Sequence, residues 1–326
     1  MLRCLQIAKN ALGTAAPNPS VGCVIVHNKE IIGEGFTSKH GGPHAEVMAI
    51  NSVKDEKLLQ DATLYVSLEP CSHYGKTPPC SKKIIEKGIP NVVIGCIDDN
   101  TLVAGKGVKM FREHKVNVIL NVLERECKLH LKRFFTYHNL KRPFIILKWA
   151  ETKNGFIAPI NKYKRAPIWI SNQYSRQLTH KWRSEEQSIL VGVQTVNDDN
   201  PSLTTREWKG KNPVRIVLDG NSRAHKDSTI FDNNAKTIHV TEDLINKGNF
   251  LLNLMSHLYN KGLTSVIVEG GKRTLDHFLE LDLWDEARVF TGDFIIEEGI
   301  KAPLLSGTAT FRKKILDDTL TIYEKN

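Results

Sequence analysis

Four residues spread between positions 44 and 80 constrain this chain more than anything else in it. Pro43-His44-Ala45-Glu46 is followed by Glu69-Pro70-Cys71 and then by Pro79-Cys80. One imidazole and two thiolates are a donor set for catalytic zinc, which takes three protein ligands and keeps a fourth position for water. To serve together, His44, Cys71 and Cys80 must be brought to one point from either side of the apolar run Thr63–Leu68. The local patterns provide for this. Gly41-Gly42-Pro43 leads into a helical stretch over Ala45–Val53, Cys71 follows the Thr63–Leu68 strand, and Cys80 opens a second helical stretch after Pro78-Pro79. Helix N-termini favour negative charge and lower thiol pKa, so they suit thiolate ligands. Glu46, two residues from the His ligand, is placed to take a proton from water and hand it to a leaving amine.

Each fragment alone is weak. His-x-Glu pairs occur by chance in many helices, and cysteines commonly behave as small buried hydrophobes. In this order, each beside a proline and at an element boundary, they point to catalytic zinc. The plainer alternative is a closed structural site with His73 as a fourth ligand, but a single residue between Cys71 and His73 is tight, and His73 reads as a pocket or loop residue. Cys4, Cys23, Cys96 and Cys127 sit in apolar runs or helices and read as structural, and no cysteine follows Cys127. A disulfide framework is unexpected in a chain of this size and character.

The rest of the first half alternates helix and strand. Strands are expected at Val21–Val26, Thr63–Leu68, Val92–Ile97 and Val116–Leu120, with helices at Ser81–Lys87 and Val108–His114 and a closing helix over Leu123–Leu140. Lys141-Arg142-Pro143 then ends the pattern, since proline disfavours helix in the residue before it. A second alternation starts at Phe144. Its strands are Phe144–Trp149, Ser188–Gly192, Val214–Leu218, Thr237–Val240, Ser265–Glu269 and Ala287–Thr291; its helices are Asn172–Arg183, Asn249–Asn260 and Lys272–Leu281. Two α/β domains follow, 1–143 and 144–326, a division that suits 326 residues.

Composition removes several classes. Hydrophobic residues at 40% and charged residues at 25% fit a globular protein. No apolar run is long enough to span a membrane, and the N-terminal MLRCLQIAKNALG, with charges inside its apolar stretch, reads as an amphipathic helix rather than a signal peptide. The expected location is the cytoplasm, with no membrane partner. The formal charge of +9 invites a nucleic-acid reading. The basic residues are mostly scattered lysines without a basic run or aromatic stripe, so no nucleic-acid partner is expected. A diffuse positive field equally attracts small phosphorylated ligands.

In the second half there is neither a dinucleotide fingerprint nor a Walker loop. Val266-Ile267-Val268-Glu269-Gly270-Gly271, opening the helix at Lys272, is a strand feeding glycines into a helix N-terminus. That arrangement binds phosphate through free N–H groups and the helix dipole, or is simply a tight turn. The polar segment Thr195–Arg206, with Asp198-Asp199, Asn200-Pro201 and Arg206, suits ligand contacts, though a capped helix and turn read the same way.

His44-Ala45-Glu46 with a later Pro-Cys resembles the zinc signature of the cytidine deaminase superfamily. The chain departs from the usual Pro-Cys-x-x-Cys. Its longer LEPCSHYGKTPPC, with Pro17-Asn18-Pro19-Ser20-Val21-Gly22 and Val103-Ala104-Gly105-Lys106-Gly107, is similar to the deaminases of riboflavin biosynthesis. Leu147-Lys148-Trp149-Ala150, Trp169-Ile170-Ser171, His180-Lys181-Trp182-Arg183, Thr195 with Asp199, and Val268-Glu269-Gly270-Gly271 resemble, in order, the reductase half of the same bifunctional family. The resemblance implies a cytidine-deaminase-like α/β/α domain with one Zn2+, followed by a dihydrofolate-reductase-like α/β domain using NADPH.

The implied substrate is a diamino-pyrimidinone carrying a ribosylamino 5-phosphate, deaminated at position 2 and then reduced from ribosyl to ribityl. Asn18 is the candidate for the ring and Lys76 for the phosphate, the latter reading equally as a loop lysine. Ala150, Trp169, Thr195, Asp199 and the loop Gly271, Lys272, Arg273 and Thr274 would touch the cofactor. Lys148, Arg183, Leu203, Arg206 and Glu269 would touch the substrate, the arginines at its phosphate. Departures from the pattern fall at Thr37, where relatives often have His, at Asn154, where they have Asp, and at Pro167. A dimer or tetramer is implied. The rival is a deaminase of a nucleic-acid base, tRNA for instance, with a non-reductase second domain; a non-enzymatic zinc-stabilised binding protein is the alternative from another class.

Overall fold

The computed structural model describes residues 1–74, 78–99, 105–161, 164–242 and 248–325. The chain divides into two compact units, Met1–Lys141 and Arg142–Asn326.

The first unit is built on a five-stranded sheet. Its elements are α1 (Leu2–Ala8), β1 (Gly22–His27), β2 (Glu30–Phe36), α2 (Ala45–Ser52), β3 (Thr63–Leu68), α3 (Cys80–Glu86), β4 (Asn91–Cys96), α4 (Lys106–Glu113), β5 (Asn117–Ile119), α5 (Glu124–His130) and α6 (Lys132–Leu140). The strand order is β2-β1-β3-β4-β5. β1 runs antiparallel to both β2 and β3, whereas β3, β4 and β5 are parallel. The near-continuous apolar sequences of β3 and β4 follow from burial of both faces under helices. Ile25, Leu64, Val66, Ile94 and Phe111 are fully buried in one core.

Two features differ from the sequence-based expectation. β2 goes unrecognised in the sequence because Gly33 and Gly35 dilute its pattern, and the reason for the glycines is packing. A Cβ on Gly35 would lie 2.3 Å from the Ala49 backbone nitrogen and 2.4 Å from the Ala45 carbonyl oxygen. Only glycine lets α2 lie this close to the strand. The expected closing helix over Leu123–Leu140 is two helices, α5 and α6, parted at Leu131, whose backbone leaves the helical region (φ −91, ψ 8) while its side chain is buried.

The second unit contains β6 (Phe144–Thr152), β7 (Phe156–Pro159), α7 (Gln173–Glu185), β8 (Ser188–Gly192), α8 (Val193–Asp199), β9 (Val214–Leu218), β10 (Thr237–Val240), α9 (Phe250–Asn260), β11 (Ser265–Val268), α10 (Lys272–Glu280), β12 (Glu286–Gly292), β13 (Gly299–Lys301), β14 (Thr308–Ile315) and β15 (Asp318–Glu324). Eight strands form one sheet in the order β10-β9-β8-β11-β6-β12-β15-β14. Pairings from β10 to β12 are parallel, and β12-β15-β14 are antiparallel. Leu254, Met255 and Leu258 of α9 with Leu275 and Phe278 of α10 close one face, and Trp182 of α7 with Val196 of α8 closes the other. A sheet with helices on both faces places its ligand crevice beyond the carboxyl ends of the parallel strands. β7 and β13 pair in a separate two-stranded sheet. Among the described residues no helix is long and apolar enough to cross a membrane.

Candidate active sites

In the first unit, His44 is the residue preceding α2, with extended backbone (φ −74, ψ 166), and Cys80 is the first residue of α3. Cys71 lies in the turn after β3. Its sulfur accepts the backbone N–H of Cys80 at 3.3 Å, and its carbonyl oxygen accepts both the N–H and the hydroxyl of Ser81. The α3 N-terminus is thereby pinned to the Cys71 turn. His44 Nδ1 stands 3.6 Å from Cys71 Sγ and 3.3 Å from Cys80 Sγ, and the three donor atoms all lie within 4.8 Å of one another. Nitrogen and sulfur sharing a tetrahedral zinc sit roughly 3.5 Å apart, from Zn–N and Zn–S lengths of about 2.05 and 2.3 Å. The donor set and its spacing fit that ion.

Cys71 is held far below the ordinary thiol value, chiefly because the Cys80 thiol hydrogen-bonds to it, with His44 adding to the effect against the opposing cost of burial. Cys80 is held well above, by the same hydrogen bond and by burial. Glu46 is buried on the first turn of α2, and burial followed by the charge of Cys71 lifts its carboxyl to about 7. His73 is exposed on the loop and stands outside the donor cluster. The remaining cysteines are buried free thiols. Burial pushes Cys4 up to about 12 and Cys127 to about 11, and it raises Cys23 and Cys96 as well. They are packed small hydrophobes.

Asn18 lies between Pro17 and Pro19, its N–H donating to the Ala15 carbonyl at 3.1 Å. Thr37 is buried, and its hydroxyl accepts the Val21 N–H at 3.0 Å. At this expected departure the chain has a short side chain that ties the residue before the first strand to the segment leading into His44. Lys76 falls outside the described residues. Glu69 carries no assignment in the sequence reading, yet its buried carboxylate accepts the N–H groups of Gly105, Gly107 and Val108 at 3.0, 3.0 and 3.3 Å. It caps α4, satisfying first-turn donors that have no partner within the helix. The available signal was an acidic residue before Pro-Cys together with a Gly-Lys-Gly helix start.

In the second unit one cavity of ≈ 1430 Å³ opens at the carboxyl ends of the parallel strands. Ligand pockets commonly run to about 300–1,000 Å³, so this one has room for two ligands side by side. Lys148 and Ala150 reach its wall from β6, Trp169 from the segment before α7, and Arg183 from α7. Thr195 and Asp199 come from α8, Leu203 and Arg206 from the loop after it, and Glu269 from the end of β11. Gly271, Lys272, Arg273 and Thr274 line it at the start of α10. All thirteen second-half residues expected to touch cofactor or substrate thus share one cavity; of the two departures in this half, Pro167 lines it and Asn154 does not.

Its centre is an ionic cluster. Arg183 grips Glu269 through Nε–Oε1 at 3.2 Å and Nη2–Oε2 at 2.8 Å, while Lys148 Nζ stands 4.0 Å from Glu269 Oε2. Burial alone would raise the Glu269 carboxyl, but Arg183 and then Lys148 outweigh it and hold the group at about 2. Burial depresses Lys148. Gly271 caps α10, and its N–H donates to Thr195 Oγ1 at 3.1 Å. A Cβ on Gly192 would lie 2.6 Å from Thr274 Oγ1, so the glycine leaves the Thr274 hydroxyl of α10 room against the β8–α8 turn. Of the two readings of Thr195–Arg206, the first part is a helix capped by Asn200 in the left-handed conformation (φ 43), and the remainder is loop. In that loop Leu203 is buried at φ 51, which costs a residue of this bulk about 1–2 kcal/mol. The strained position is flanked by Ser202, which receives a hydrogen bond from Arg206, and by Thr204, whose carbonyl oxygen accepts from Arg183.

His180, which the sequence offers only as the first residue of a motif, has a structural task. Its Nδ1 accepts the Arg206 N–H at 3.1 Å, which orders the cavity loop. Arg176, whose guanidinium lies 4.4 Å from the Trp169 ring centre, was missed, and nothing in the sequence marks that stacking. Asn154 accepts from the Thr152 hydroxyl and donates its amide to the Ile296 carbonyl at 2.7 Å. An aspartate cannot make the second bond, which gives a physical reason for Asn at this departure. The structure supplies no comparable reason at Pro167.

Comparison with known proteins agrees with this division of labour. The family model for the cytidine and deoxycytidylate deaminase zinc-binding region matches residues 1–96, and the RibD C-terminal domain model matches residues 143–320. The riboflavin biosynthesis protein RibD of Aquifex aeolicus is 39% identical over 91% of this chain and 86% of its own length. RibD of Bacillus amyloliquefaciens is 33% identical over 93% of this chain and 86% of its own. A crystal structure from Thermotoga maritima, described as a diaminohydroxyphosphoribosylaminopyrimidine deaminase/5-amino-6-(5-phosphoribosylamino)uracil reductase, superposes with a TM-score of 0.92 at 38% identity, covering 100% of this chain and 97% of that one. The rival with a non-reductase second domain is not favoured, because residues 143–320 match the RibD domain. Candidate zinc donors in one unit and a large cavity lined by charged residues in the other therefore fall under one heading: the chain belongs to the RibD family of riboflavin biosynthesis proteins, bifunctional deaminase and reductase in a single polypeptide.

Proposed function

We propose that the first unit hydrolytically deaminates 2,5-diamino-6-(5-phosphoribosylamino)pyrimidin-4-one and that the second reduces the ribosyl group of the product to ribityl with NADPH. The observation that carries the first step is the convergence of His44 Nδ1 and the sulfurs of Cys71 and Cys80 beside the buried Glu46. These three residues hold zinc, which when bound supplies the Lewis acidity that makes water nucleophilic near neutral pH. Glu46 accepts the proton of the attacking water and returns one to the departing amine, so that water enters and ammonia leaves. Asn18 holds the ring by its amide, and Lys76 meets the phosphate.

In the second unit Ala150, Trp169, Thr195, Asp199 and the Gly271–Thr274 turn hold NADPH, which supplies the hydride when bound. The size of the cavity and the helix N-terminus at Gly271, a natural seat for phosphate, support this. The substrate lies against Lys148, Leu203 and Glu269, with Arg183 and Arg206 toward its phosphate. The dihydrofolate-reductase-like architecture belongs to this proposal, as do a dimeric or tetrameric assembly and a cytoplasmic location. Light scattering on the purified protein tests the assembly.

The deciding experiment is incubation of the zinc-loaded protein with the diamino-pyrimidinone ribosyl phosphate, with and without NADPH, followed by mass analysis. Without NADPH the product exchanges one amine for oxygen; with NADPH it also gains two hydrogens. Unchanged substrate in both tubes overturns the proposal.

A further inference from the structure

The segment carrying Asn18 is fixed from outside by a residue that the reaction does not use. His130, the last residue of α5, brings Nε2 to 2.9 Å from the Ser20 carbonyl oxygen and 3.0 Å from the Ser20 hydroxyl. A carbonyl oxygen only accepts, so Nε2 carries the proton and donates to it, with the hydroxyl sharing the same donor. Burial holds the imidazole as the neutral ring, its pKa lowered to about 4, consistent with a fixed single donor.

Ser20 is two residues from Asn18 and one from Val21. The Val21 N–H donates to Thr37 Oγ1, the Thr37 N–H donates back to the Val21 carbonyl oxygen at 3.0 Å, and the His40 N–H reaches the Thr14 carbonyl oxygen at 3.2 Å. The strip 14–21 therefore runs beside the strip 37–43, which delivers His44 to the metal donors. Pro17 and Pro19 remove two backbone donors from the first strip. On its α5 side, His130 holds the carbonyl oxygen of Ser20, the residue that follows Pro19.

We infer that His130 is a positioning residue for deamination: through Ser20 it sets the placement of the Asn18 amide relative to the ring of the substrate. The inference rests on the proposed contact between Asn18 and the pyrimidinone, and the test separates the two. His130→Leu keeps the volume and removes the donor; His130→Gln keeps a donor at similar reach. Deaminase KM and kcat, zinc content and the reductase rate are measured for both, alone and combined with Asn18→Ala.

His130→Leu is expected to raise deaminase KM about tenfold, with zinc content and reductase rate unchanged, and His130→Gln to recover most of that loss. In the Asn18→Ala background His130→Leu should add less than twofold, since a residue acting through another loses its effect when the other is gone. Undiminished effects in the double variant, or a glutamine variant as impaired as leucine, overturn the inference. So does a leucine variant with the parental KM. If His130→Leu does not fold, His130→Asn, polar but too short to reach Ser20, replaces it in the same cycle with the same outcomes. Asn18→Ala with the parental KM refutes the ring contact itself, whatever His130 does.

Discussion

At the scale of single residues, Glu46 and Glu269 are both buried carboxylates with opposite surroundings. Glu46 has two sulfurs and an imidazole near it and, among the described residues, no lysine or arginine partner, whereas Glu269 is clasped by Arg183 with Lys148 beyond. The first is suited to exchanging a proton and the second to staying charged. Glu46→Gln should leave one zinc per chain and the reductase rate intact while deamination falls by about 10²–10⁴, the range for a general acid–base group; metal analysis beside both assays checks it. Arg183→Ala leaves Glu269 buried with Lys148 alone, and breaking such a pair costs about 3–5 kcal/mol when nothing replaces the lost partner. With Lys148 remaining, a loss toward the lower end is expected in urea unfolding, and Arg183→Lys should recover part of it. Zinc donor candidates were legible because each stands in a short motif with proline beside it. The Arg183–Glu269 clasp was not, because the partners are 86 residues apart and either one alone reads as an ordinary charged residue.

At the scale of elements, the strands that reading along the chain found are those buried on both faces, such as β3, β4, β8 and β11. Their apolar runs survive any choice of partner. Those it missed have a physical reason for silence. β14 is exposed at seven of eight positions, so no apolar alternation marks it. β2 gave up side chains at Gly33 and Gly35 so that α2 could lie against it. This makes a prediction about α2. Gly35→Ala would place a methyl 2.3 Å from backbone nitrogen and 2.4 Å from backbone oxygen, atoms that cannot rotate aside. The helix must back away from the strand, and it carries Glu46 with His44 at its start. A stability loss of about 1–3 kcal/mol is expected from overpacking, with weaker zinc binding and a reductase rate that does not change. Metal competition against a chelator measures the zinc effect. A variant with parental zinc affinity and stability would show that α2 is not held by this contact.

At the scale of the whole molecule, acid offers a way to read the second unit separately. All five tryptophans, at 149, 169, 182, 208 and 284, lie in Arg142–Asn326, so their fluorescence follows unfolding of that unit alone. Within it His180 is neutral: burial, then the cations Arg183 and Arg206, depress it to about 4. An unfolded histidine titrates near 6.5. Between those values the unfolded chain binds a proton that the folded chain refuses, so stability is complete above about 6.5 and falls as pH drops toward 4. Glu269 enters lower down. Its carboxylate is stabilised in the fold, so its contribution is present above about 4.5 and is lost between there and about 2. A rival cause is self-repulsion, since a chain already at +9 gains further charge in acid. Salt separates the two, because screening weakens repulsion between distant exposed charges far more than a buried proton equilibrium. The urea midpoint by tryptophan fluorescence should fall from pH 6.5 to 4.5 at both low and high salt. His180→Gln should flatten most of that slope, leaving a smaller part from His257, which burial also depresses, and the steeper loss below 4.5. A slope that vanishes in high salt would assign the acid lability to net charge, and one that persists unchanged in the variant would remove His180 from the account.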